Sequence, residues 1–222
     1  IVTDKEIDDL DINEQRRKSI AFTFGRFNPP TTGHEKLIKK VASVRADTFK
    51  IFLSRSEDAK KNPLSPRSKL DHMRKMFPRF ARNIEINTTN MILDIASKLH
   101  RQGFTEIFMV VGSDRVREFE TILNKYNNVR SRHGYYNFDN INVLSAGERD
   151  PDSEGVSGMS ASKMRDAASK DDFTTFKRGV PSSYRNADDL FKDVRKGMRL
   201  VASMEYDTNF RPIKTLQEFE QN

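Results

Sequence analysis

The segment "SIAFTFGRFNPPTTGHEKLIKKVASVR" (residues 19–45) contains an apolar run, a turn and an amphipathic helical pattern, in that order. The apolar run 19–27 is typical of a buried strand. The turn holds two prolines, two threonines, a glycine and a histidine, and Leu37, Val41 and Val44 then recur at helical spacing. This order predicts a strand, a turn and a helix, which is the first part of a β-α-β unit.

The same alternation of strand and helix recurs along the chain. Further strands are predicted at 49–55, 83–89, 106–114 and 140–147, and further helices at 65–77, 92–103, 117–126 and 160–170. Five such repeats predict an α/β fold, a Rossmann-like parallel five-stranded sheet with helices on both faces, plus terminal extensions. We divide the chain into a polar N-terminal lead-in (1–18), a main domain (19–181) and a C-terminal helical appendage and tail (182–222), with its helix around 188–196.

The composition narrows the class of ligand and the compartment. The 222 residues include 39 basic and 32 acidic side chains, and the net charge of +7 favours polyanions in general: nucleotides, phosphates, nucleic acid or acidic membranes. The charge alone does not choose among them. There is no cysteine, which excludes disulfides, thiolate metal sites and a cysteine nucleophile. The sequence has neither an apolar run of about 18 residues nor a signal peptide at its first residues, so we expect a cytoplasmic protein without a membrane partner.

The turn after the first strand is the first candidate site. Open parallel sheets bind ligands beyond the carboxyl ends of their strands, where this turn is predicted to lie. Gly25 permits close approach of a ligand, and the N-terminus of the following helix favours anions, with His34 and Arg26 as further donors. The structural alternative is a capping box with Thr32 as N-cap and Glu35 as its partner. Composition alone leaves these two readings open.

A second candidate lies in "GMSASKMRDAA" (158–168), at the start of the helix predicted at 160–170. Ser160 and Ser162 can cap this helix, which is the structural interpretation. Lys163 and Arg165, however, place cations near a helix N-terminus, where they oppose the helix dipole unless an anion is bound. Removal of the Arg165 charge is therefore expected to leave the free protein equally stable or slightly more stable. Two such helix ends facing each other could hold a triphosphate.

These two motifs resemble those of the nucleotidylyltransferase superfamily. "GRFNPPTTGH" is similar to its (H/T)-x-G-H signature and "MSASKMR" to its I-S-S-T-x-x-R signature, with Ala161 departing from the second serine. Arg26 after the glycine resembles archaeal-type nicotinamide-mononucleotide adenylyltransferases. Thr31 in place of the first histidine resembles phosphopantetheine adenylyltransferase. The resemblance covers about residues 19–180.

The resemblance implies a reaction and a set of site residues. An acceptor phosphate attacks the α-phosphorus of ATP or CTP and pyrophosphate leaves, with Mg²⁺ assisting and no metal ligand assigned among the side chains. The implied catalytic residues are Thr31, His34 and Arg165. The implied nucleotide-binding residues are Gly25, Arg26, Phe27, Gly33, Gly112, Asp114, Ser160 and Ser162, and the implied acceptor or phosphate contacts are Lys60 and Lys61.

Several alternatives stay open beside this reaction. The first expectation is AMP transfer from ATP to nicotinamide mononucleotide, and the alternatives are a cytidylyltransferase or a phosphopantetheine-type adenylyltransferase. A different class is a lapsed transferase domain that binds nucleic acid or protein within an assembly. A homo-oligomer is kept open and nucleic acid is not favoured. Asp114 could also be a plain N-cap, and Lys60 and Lys61 a solvated charge run. His72 and His100 are expected on helix sides or at the surface, and the loop 127–138 is interpreted as a lid or a solvated loop.

Overall fold

A computed structural model describes residues 17–147 and 159–200 of the chain. The strands are β1 (Ser19–Gly25), β2 (Thr48–Leu53), β3 (Ile84–Ile86), β4 (Glu106–Val111) and β5 (Asn140–Ser145). The α-helices are α1 (Thr32–Ser43), α2 (Pro66–Met76), α3 (Ile92–Arg101), α4 (Val116–Lys125), α5 (Ala161–Ser169), α6 (Phe173–Lys177) and α7 (Ala187–Gly197), with 3-10 turns at Pro78–Asn83 and Ser113–Arg115.

The five strands form one sheet in the order β3-β2-β1-β4-β5, and every pairing is parallel. This confirms the predicted α/β architecture. β1 is central because it pairs with β2 on one side and with β4 on the other. The chain order therefore reverses between β1 and β4, and a sheet of this type binds ligands at that reversal, beyond the carboxyl ends of its strands.

Both faces of the sheet are covered by helices. On β2, Ile51 and Leu53 point into one apolar cluster and Phe52 points into another, as the two-residue period of a strand requires. The first cluster takes residues from α1, α2, α5, α6 and α7, and the second takes residues from α3 and α4. This burial on both faces explains why the central strands have continuous apolar runs.

The helix predicted around 188–196 is α7, and it packs into the first of these clusters. Ala187, Leu190, Phe191 and Val194 are buried there. On the polar side of the same contact, His72 of α2 lies 2.6 Å from the hydroxyl of Tyr184 and 2.7 Å from a carboxylate oxygen of Asp193. The expected surface position of His72 is wrong, because its side chain lies on the inward side of α2 and is buried in this contact between α2 and α7.

The element boundaries differ from the predicted ones at a few points. The strand predicted at 83–89 is shortened to Ile84–Ile86, because residues 87–91 turn away before α3. The predicted lead-in lies almost wholly outside the described residues, as does the tail after residue 200. Within residues 17–147 and 159–200, no helix has the length and apolar character that crossing a bilayer requires. The three-part division of the chain remains a prediction.

Candidate active site

The turn between β1 and α1 is held in one conformation by buried contacts. Phe27 has a positive φ of 46° and is 3% exposed, and a cis peptide bond joins Asn28 to Pro29. The buried side chain of Asn28 donates to the carbonyl of Leu64 (3.0 Å) and accepts from its amide (2.9 Å). The turn is thus tied to the segment that precedes α2.

Helix α1 begins one residue earlier than the capping-box prediction required. Thr31, not Thr32, is the N-cap, and the partner three residues on is His34, not Glu35. The amide of Thr31 donates to Nδ1 of His34 over 2.9 Å. Glu35 instead pairs with Lys39 on the exposed side of α1. The capping interpretation and the site interpretation therefore involve the same residue, His34.

His34 is oriented by two neighbours in the turn. Its ring packs against Phe27 with 4.7 Å between ring centroids. Because Nδ1 accepts the Thr31 amide hydrogen, the neutral ring carries its own hydrogen on Nε2. His34 can therefore donate a hydrogen bond from Nε2 without giving up its capping contact.

The N-terminus of α1 offers fewer backbone donors than the sequence suggested. The amide and the hydroxyl of Thr32 both donate to the carbonyl of Gly179, over 2.8 Å and 3.1 Å. The first amide of the helix is therefore already bonded within the protein. Gly33 is exposed in the same turn, beside Thr31, whose side chain is buried.

The second motif starts α5 and reaches the first one. Ser160 caps the helix by accepting the amide of Lys163 (3.2 Å), as predicted. One guanidinium nitrogen of Arg165 lies 3.4 Å from the Ser162 hydroxyl. The other donates to the backbone carbonyl of Asn28 over 2.8 Å. The two sequence motifs, 137 residues apart at this bond, are therefore in direct contact.

Charged groups surround this contact. Burial and the nearby Arg26 lower the pKa of Arg165, while Asp58 acts in the opposite direction. Arg26 is exposed next to Gly25, at the carboxyl end of β1. Two guanidinium groups that repel each other at the rim of the sheet are suited to sharing a polyanion, which would relieve that repulsion.

The residues predicted from "VVGSD" lie at the carboxyl end of β4, next to β1. Gly112 starts the 3-10 turn there and Asp114 is exposed within it. The N-cap alternative for Asp114 is wrong, because Gly112 holds that position for the 3-10 turn and Arg115 holds it for α4. A backbone bond of 3.4 Å joins Ser113 to Gly147 after β5.

Lys60 and Lys61, the expected acceptor or phosphate contacts, lie in the loop between β2 and α2. Both side chains are exposed, and their amides donate to a carboxylate oxygen of Asp58 over 3.0 Å and 2.6 Å. These hydrogen bonds lower the pKa of Asp58, and the bond from the Lys61 amide has the largest effect. The structure gives the two lysine ammonium groups no contact with the two motifs.

Sequence reasoning missed Lys69, a buried lysine at the same end of the sheet. On α2 the residues Lys69, His72, Met73 and Met76 are buried. Their spacing of three, four and seven residues is that of one helix face, so Met73 and Met76 alone could have indicated that Lys69 and His72 point inward.

The loop 127–138 packs on α3 and α4. Tyr136 is 2% exposed and its hydroxyl donates to the carbonyl of Leu123 (2.7 Å). His133 pairs with Asp94 of α3 over 3.1 Å. The predicted lid or solvated loop is thus, in part, a buried attachment to α3 and α4.

Comparison with known proteins places both motifs within a single family match. A family model described as cytidylyltransferase-like matches residues 22–167. The chain belongs to the cytidylyltransferase-like family. The match contains the β1–α1 turn and the first turn of α5, so this domain is a nucleotidyltransferase of that family, in agreement with the resemblance of its motifs.

Two solved structures are similar to the chain. One is a proposed nicotinate-nucleotide adenylyltransferase from Vibrio parahaemolyticus, with 18% identity, a TM-score of 0.47 and coverage of 82% of this chain and 94% of that one. The other is the Plasmodium falciparum nicotinic acid mononucleotide adenylyltransferase complexed with NaAD, with 16% identity, a TM-score of 0.47 and coverage of 82% and 98%. No curated protein sequence matches the chain.

Among residues 17–147 and 159–200, no group of three or more His, Asp or Glu side chains is arranged to hold a metal ion.

Proposed function

We propose that this cytidylyltransferase-like protein transfers AMP from ATP to a phosphorylated small molecule with release of pyrophosphate, and that the acceptor is nicotinamide mononucleotide. The observation that carries the proposal is the 2.8 Å bond from Arg165 to the carbonyl of Asn28. This bond joins the two motifs. His34 of the first motif and Ser160, Ser162 and Arg165 of the second, which are distant in the sequence, therefore lie at the same end of the sheet.

In the proposed reaction, a phosphate oxygen of the acceptor attacks the α-phosphorus of ATP. A new bond forms between that oxygen and the α-phosphorus, and the bond from the α-phosphorus to the oxygen bridging it to the β-phosphorus breaks. The electron pair of the broken bond leaves with pyrophosphate. No proton transfer to a protein base is required, because the attacking phosphate oxygen is already ionised, so the protein contributes positioning and charge stabilisation.

His34 is the proposed donor to the α-phosphate. Its Nδ1 is occupied by the amide of Thr31, which leaves the hydrogen on Nε2 as the hydrogen that it can donate. Contact with Phe27 restricts the ring further. A donor fixed before the substrate arrives stabilises the charge that develops in the transition state without a cost of reorganisation.

Arg165, Ser160 and Ser162 are the proposed partners of the β- and γ-phosphates, with Arg26 as a further contact. A guanidinium fork can bind two phosphate oxygens at once, and its charge strengthens each bond. The field of Arg26 at Arg165 supports this assignment, because a polyphosphate between two cations removes their mutual repulsion. Mg²⁺ is proposed to arrive with the triphosphate, bound by its phosphate oxygens.

The choice of acceptor rests on Arg26. An arginine directly after the glycine of the first motif is the feature that resembles nicotinamide-mononucleotide adenylyltransferases, and it is exposed at the crevice end of β1. Thr31, the feature shared with phosphopantetheine adenylyltransferase, has a 3% exposed side chain and contacts His34. The accessible feature therefore favours the mononucleotide.

A matrix of substrates tests the proposal. The full chain is incubated with Mg²⁺ and ATP or CTP, combined with nicotinamide mononucleotide, nicotinate mononucleotide, phosphopantetheine or glycerol 3-phosphate. Pyrophosphate is measured in a coupled assay and the joined product by mass spectrometry. We expect both signals with ATP and nicotinamide mononucleotide, and their loss in His34→Ala but not in Glu35→Gln, a half-buried neighbour that pairs with Lys39.

Two other kinds of outcome would change the assignment. Product from CTP or from phosphopantetheine alone would replace the proposed substrate pair by one of the two alternatives. Absence of pyrophosphate with all eight combinations would overturn the transferase assignment and favour a lapsed domain with a binding role.

A further inference from the structure

A buried ammonium group lies at the crevice end of the sheet and has no role in the proposed reaction. Lys69 is 0% exposed, although lysine is almost never fully buried unless its charge is paired. Its Nζ donates to the backbone carbonyl of Ser54 over 2.5 Å and lies 3.5 Å from the Ser54 hydroxyl. Ser54 is the first residue after β2 and is itself buried.

Ser54 connects this ammonium to the phosphate-binding turn. Its amide donates to the carbonyl of Gly25 over 2.9 Å, and Gly25 ends β1 immediately before Arg26. A chain of two hydrogen bonds therefore runs from Lys69 through Ser54 to the start of the turn. A second link comes from the same side of the protein, because Leu64, just before α2, is bonded twice to the Asn28 side chain.

The charges around Lys69 also belong to this end of the sheet. Burial lowers the pKa of Lys69 to about 8, the nearby Glu57 raises it and Arg26 lowers it further. Arg26 in turn acts on Arg165, as described above. On its own helix, the next inward group is His72, whose two ring nitrogens are bonded to Tyr184 and Asp193. Arg26 thus repels both Lys69 and Arg165.

We propose that Lys69 is a positioning residue of the nucleotide site, which holds the Gly25–Arg26 turn through Ser54 and adds its charge to the positive potential that binds the phosphates of ATP. The proposal rests on the proposed function, because it takes ATP as the ligand. In this proposal, Lys69 does not contact a phosphate group of ATP. Its effect is carried by the two hydrogen bonds and by the field of a buried cation, which solvent screens weakly.

A purely structural role would have different consequences. A lysine that only fills space in the core could be replaced by methionine, which has a similar length, without a pH-dependent effect on nucleotide affinity. In the proposed role, loss of the charge weakens ATP binding, and so does deprotonation of the wild-type ammonium. Bound phosphate should conversely favour the protonated form, so ATP binding at alkaline pH should draw a proton onto the protein.

Calorimetric titration with ATP in the absence of acceptor tests this between about pH 7 and about pH 9.5, a window around the lowered pKa. The variants are Lys69→Met, Lys69→Arg and, as a matched control, Lys75→Met on the exposed side of the same helix. We expect Lys69→Met to bind ATP about 5- to 10-fold more weakly at neutral pH, the effect of one nearby buried charge. Lys69→Arg should retain most of the affinity, and Lys75→Met should match wild type.

The pH profiles separate the two roles. Wild-type affinity should fall with rising pH across this window, whereas Lys69→Met and Lys69→Arg should show no such fall, because neither side chain titrates there. If Lys69→Met does not fold, wild type alone is titrated at alkaline pH in two buffers of different ionisation enthalpy, and uptake of a fraction of a proton is expected. Zero uptake, or coincident pH profiles of wild type and Lys69→Met, would overturn the proposal.

Failure of this inference can be told from failure of the proposed function. Product formation with coincident pH profiles would remove the role of Lys69 and leave the transferase assignment in place. ATP binding with the expected pH profiles but without product from any acceptor would support the role of Lys69 and overturn the transferase assignment. Absence of ATP binding by wild type would overturn both.

Discussion

The guanidinium of Arg165 in α5 donates a hydrogen bond of 2.8 Å to the backbone carbonyl of Asn28 in the β1–α1 turn. This bond joins the two halves of the candidate site, and each half is fixed elsewhere as well. Asn28 is bonded through its side chain to Leu64, and α5 contributes Met164, Ala167 and Ala168 to the core. A ligand that bridges the halves therefore meets a largely preformed site, which lowers the entropic cost of binding.

Replacement of Arg165 by alanine should weaken binding of a non-hydrolysable ATP analogue about 10- to 150-fold, the range for a charge-assisted hydrogen bond, and should affect AMP much less. Arg165→Lys should recover part of the affinity, because an ammonium cannot reproduce the planar fork. Calorimetric titration with both ligands measures this. Lys170→Ala, at the exposed end of the same helix, is the matched control. Equal weakening for the analogue and AMP would exclude a polyphosphate contact.

The same variant also tests two opposing expectations for the stability of the free protein. Removal of a cation near the start of α5 was expected to leave the free protein equally stable or slightly more stable. The bond to Asn28 now predicts a loss of about 1 kcal/mol in the free energy of unfolding, because the carbonyl loses its partner. Urea denaturation without ligand, compared with Lys170→Ala, distinguishes the two expectations.

Replacement of His34 by alanine should lower turnover by about 10²- to 10³-fold while the fold is retained, as for loss of one transition-state donor. A stability loss of about 1 kcal/mol should accompany it, because His34 also completes the helix cap. Steady-state kinetics and thermal unfolding measure the two effects. Glu35→Gln, the next residue, should change neither. Normal turnover in His34→Ala would exclude the transition-state role.

The arrangement of strands and helices could be predicted from the sequence because it depends on local periodicity. The runs at 19–27 and 106–114 are apolar without alternation, which is how a strand buried on both faces appears in a sequence, and they are the central strands β1 and β4. The strand order is not local information, since it depends on which strands pair. The short β3 could not be bounded either, because 83–89 alternates beyond the point where pairing stops.

The candidate site was predictable only in part. Both Thr31 with His34 and Thr32 with Glu35 satisfy the spacing of a capping box, and the sequence alone cannot choose between them. The choice is made by tertiary contacts, since His34 packs on Phe27 and Thr32 bonds to Gly179. Lys69 was missed because lysine is normally read as a solvent-facing residue, whereas here the methionines of α2 define the buried face on which it lies.

Gly25→Ala tests the packing of the turn. A Cβ at Gly25 would lie 2.9 Å from Cε2 of Phe27, which is too close. Phe27 is buried with a positive φ and its ring contacts His34, so the ring has little freedom to move. We expect a stability loss of about 1–3 kcal/mol and reduced turnover. Gly33→Ala, whose Cβ would make an ordinary 3.5 Å contact with Thr31, should leave thermal stability unchanged. Equal stability of both variants would contradict this account of the turn.

Gly197→Ala tests the attachment of α7. A Cβ at this position would lie 1.8 Å from the carbonyl oxygen of Pro63, so α7 or the segment before α2 must shift. We expect a loss of about 1–3 kcal/mol in the free energy of unfolding and faster proteolytic cleavage near α7. The exposed neighbour variant Lys196→Ala should behave as wild type. Unchanged stability of Gly197→Ala would mean that α7 contributes little to holding this region.

Lys69 predicts an unusual dependence of stability on pH. Its pKa falls from 10.5 to about 8 on folding, so between these values the unfolded chain binds more protons than the folded one. The free energy of unfolding should therefore rise with pH across that interval, by up to about 3 kcal/mol, because the cost of burying a charged ammonium disappears as the group becomes neutral.

Urea denaturation at several pH values measures this rise in wild type. It should be absent from Lys69→Met and preserved in Lys75→Met, in which an exposed lysine paired with Asp71 is removed from the same helix. A constant stability difference between wild type and Lys69→Met from about pH 7.5 to about pH 10.5 would show that folding does not lower the pKa of Lys69. The ammonium would then stay mostly protonated in the folded protein until the pH approaches the ordinary value of 10.5, and the pH-dependent part of its proposed effect on nucleotide binding would be wrong.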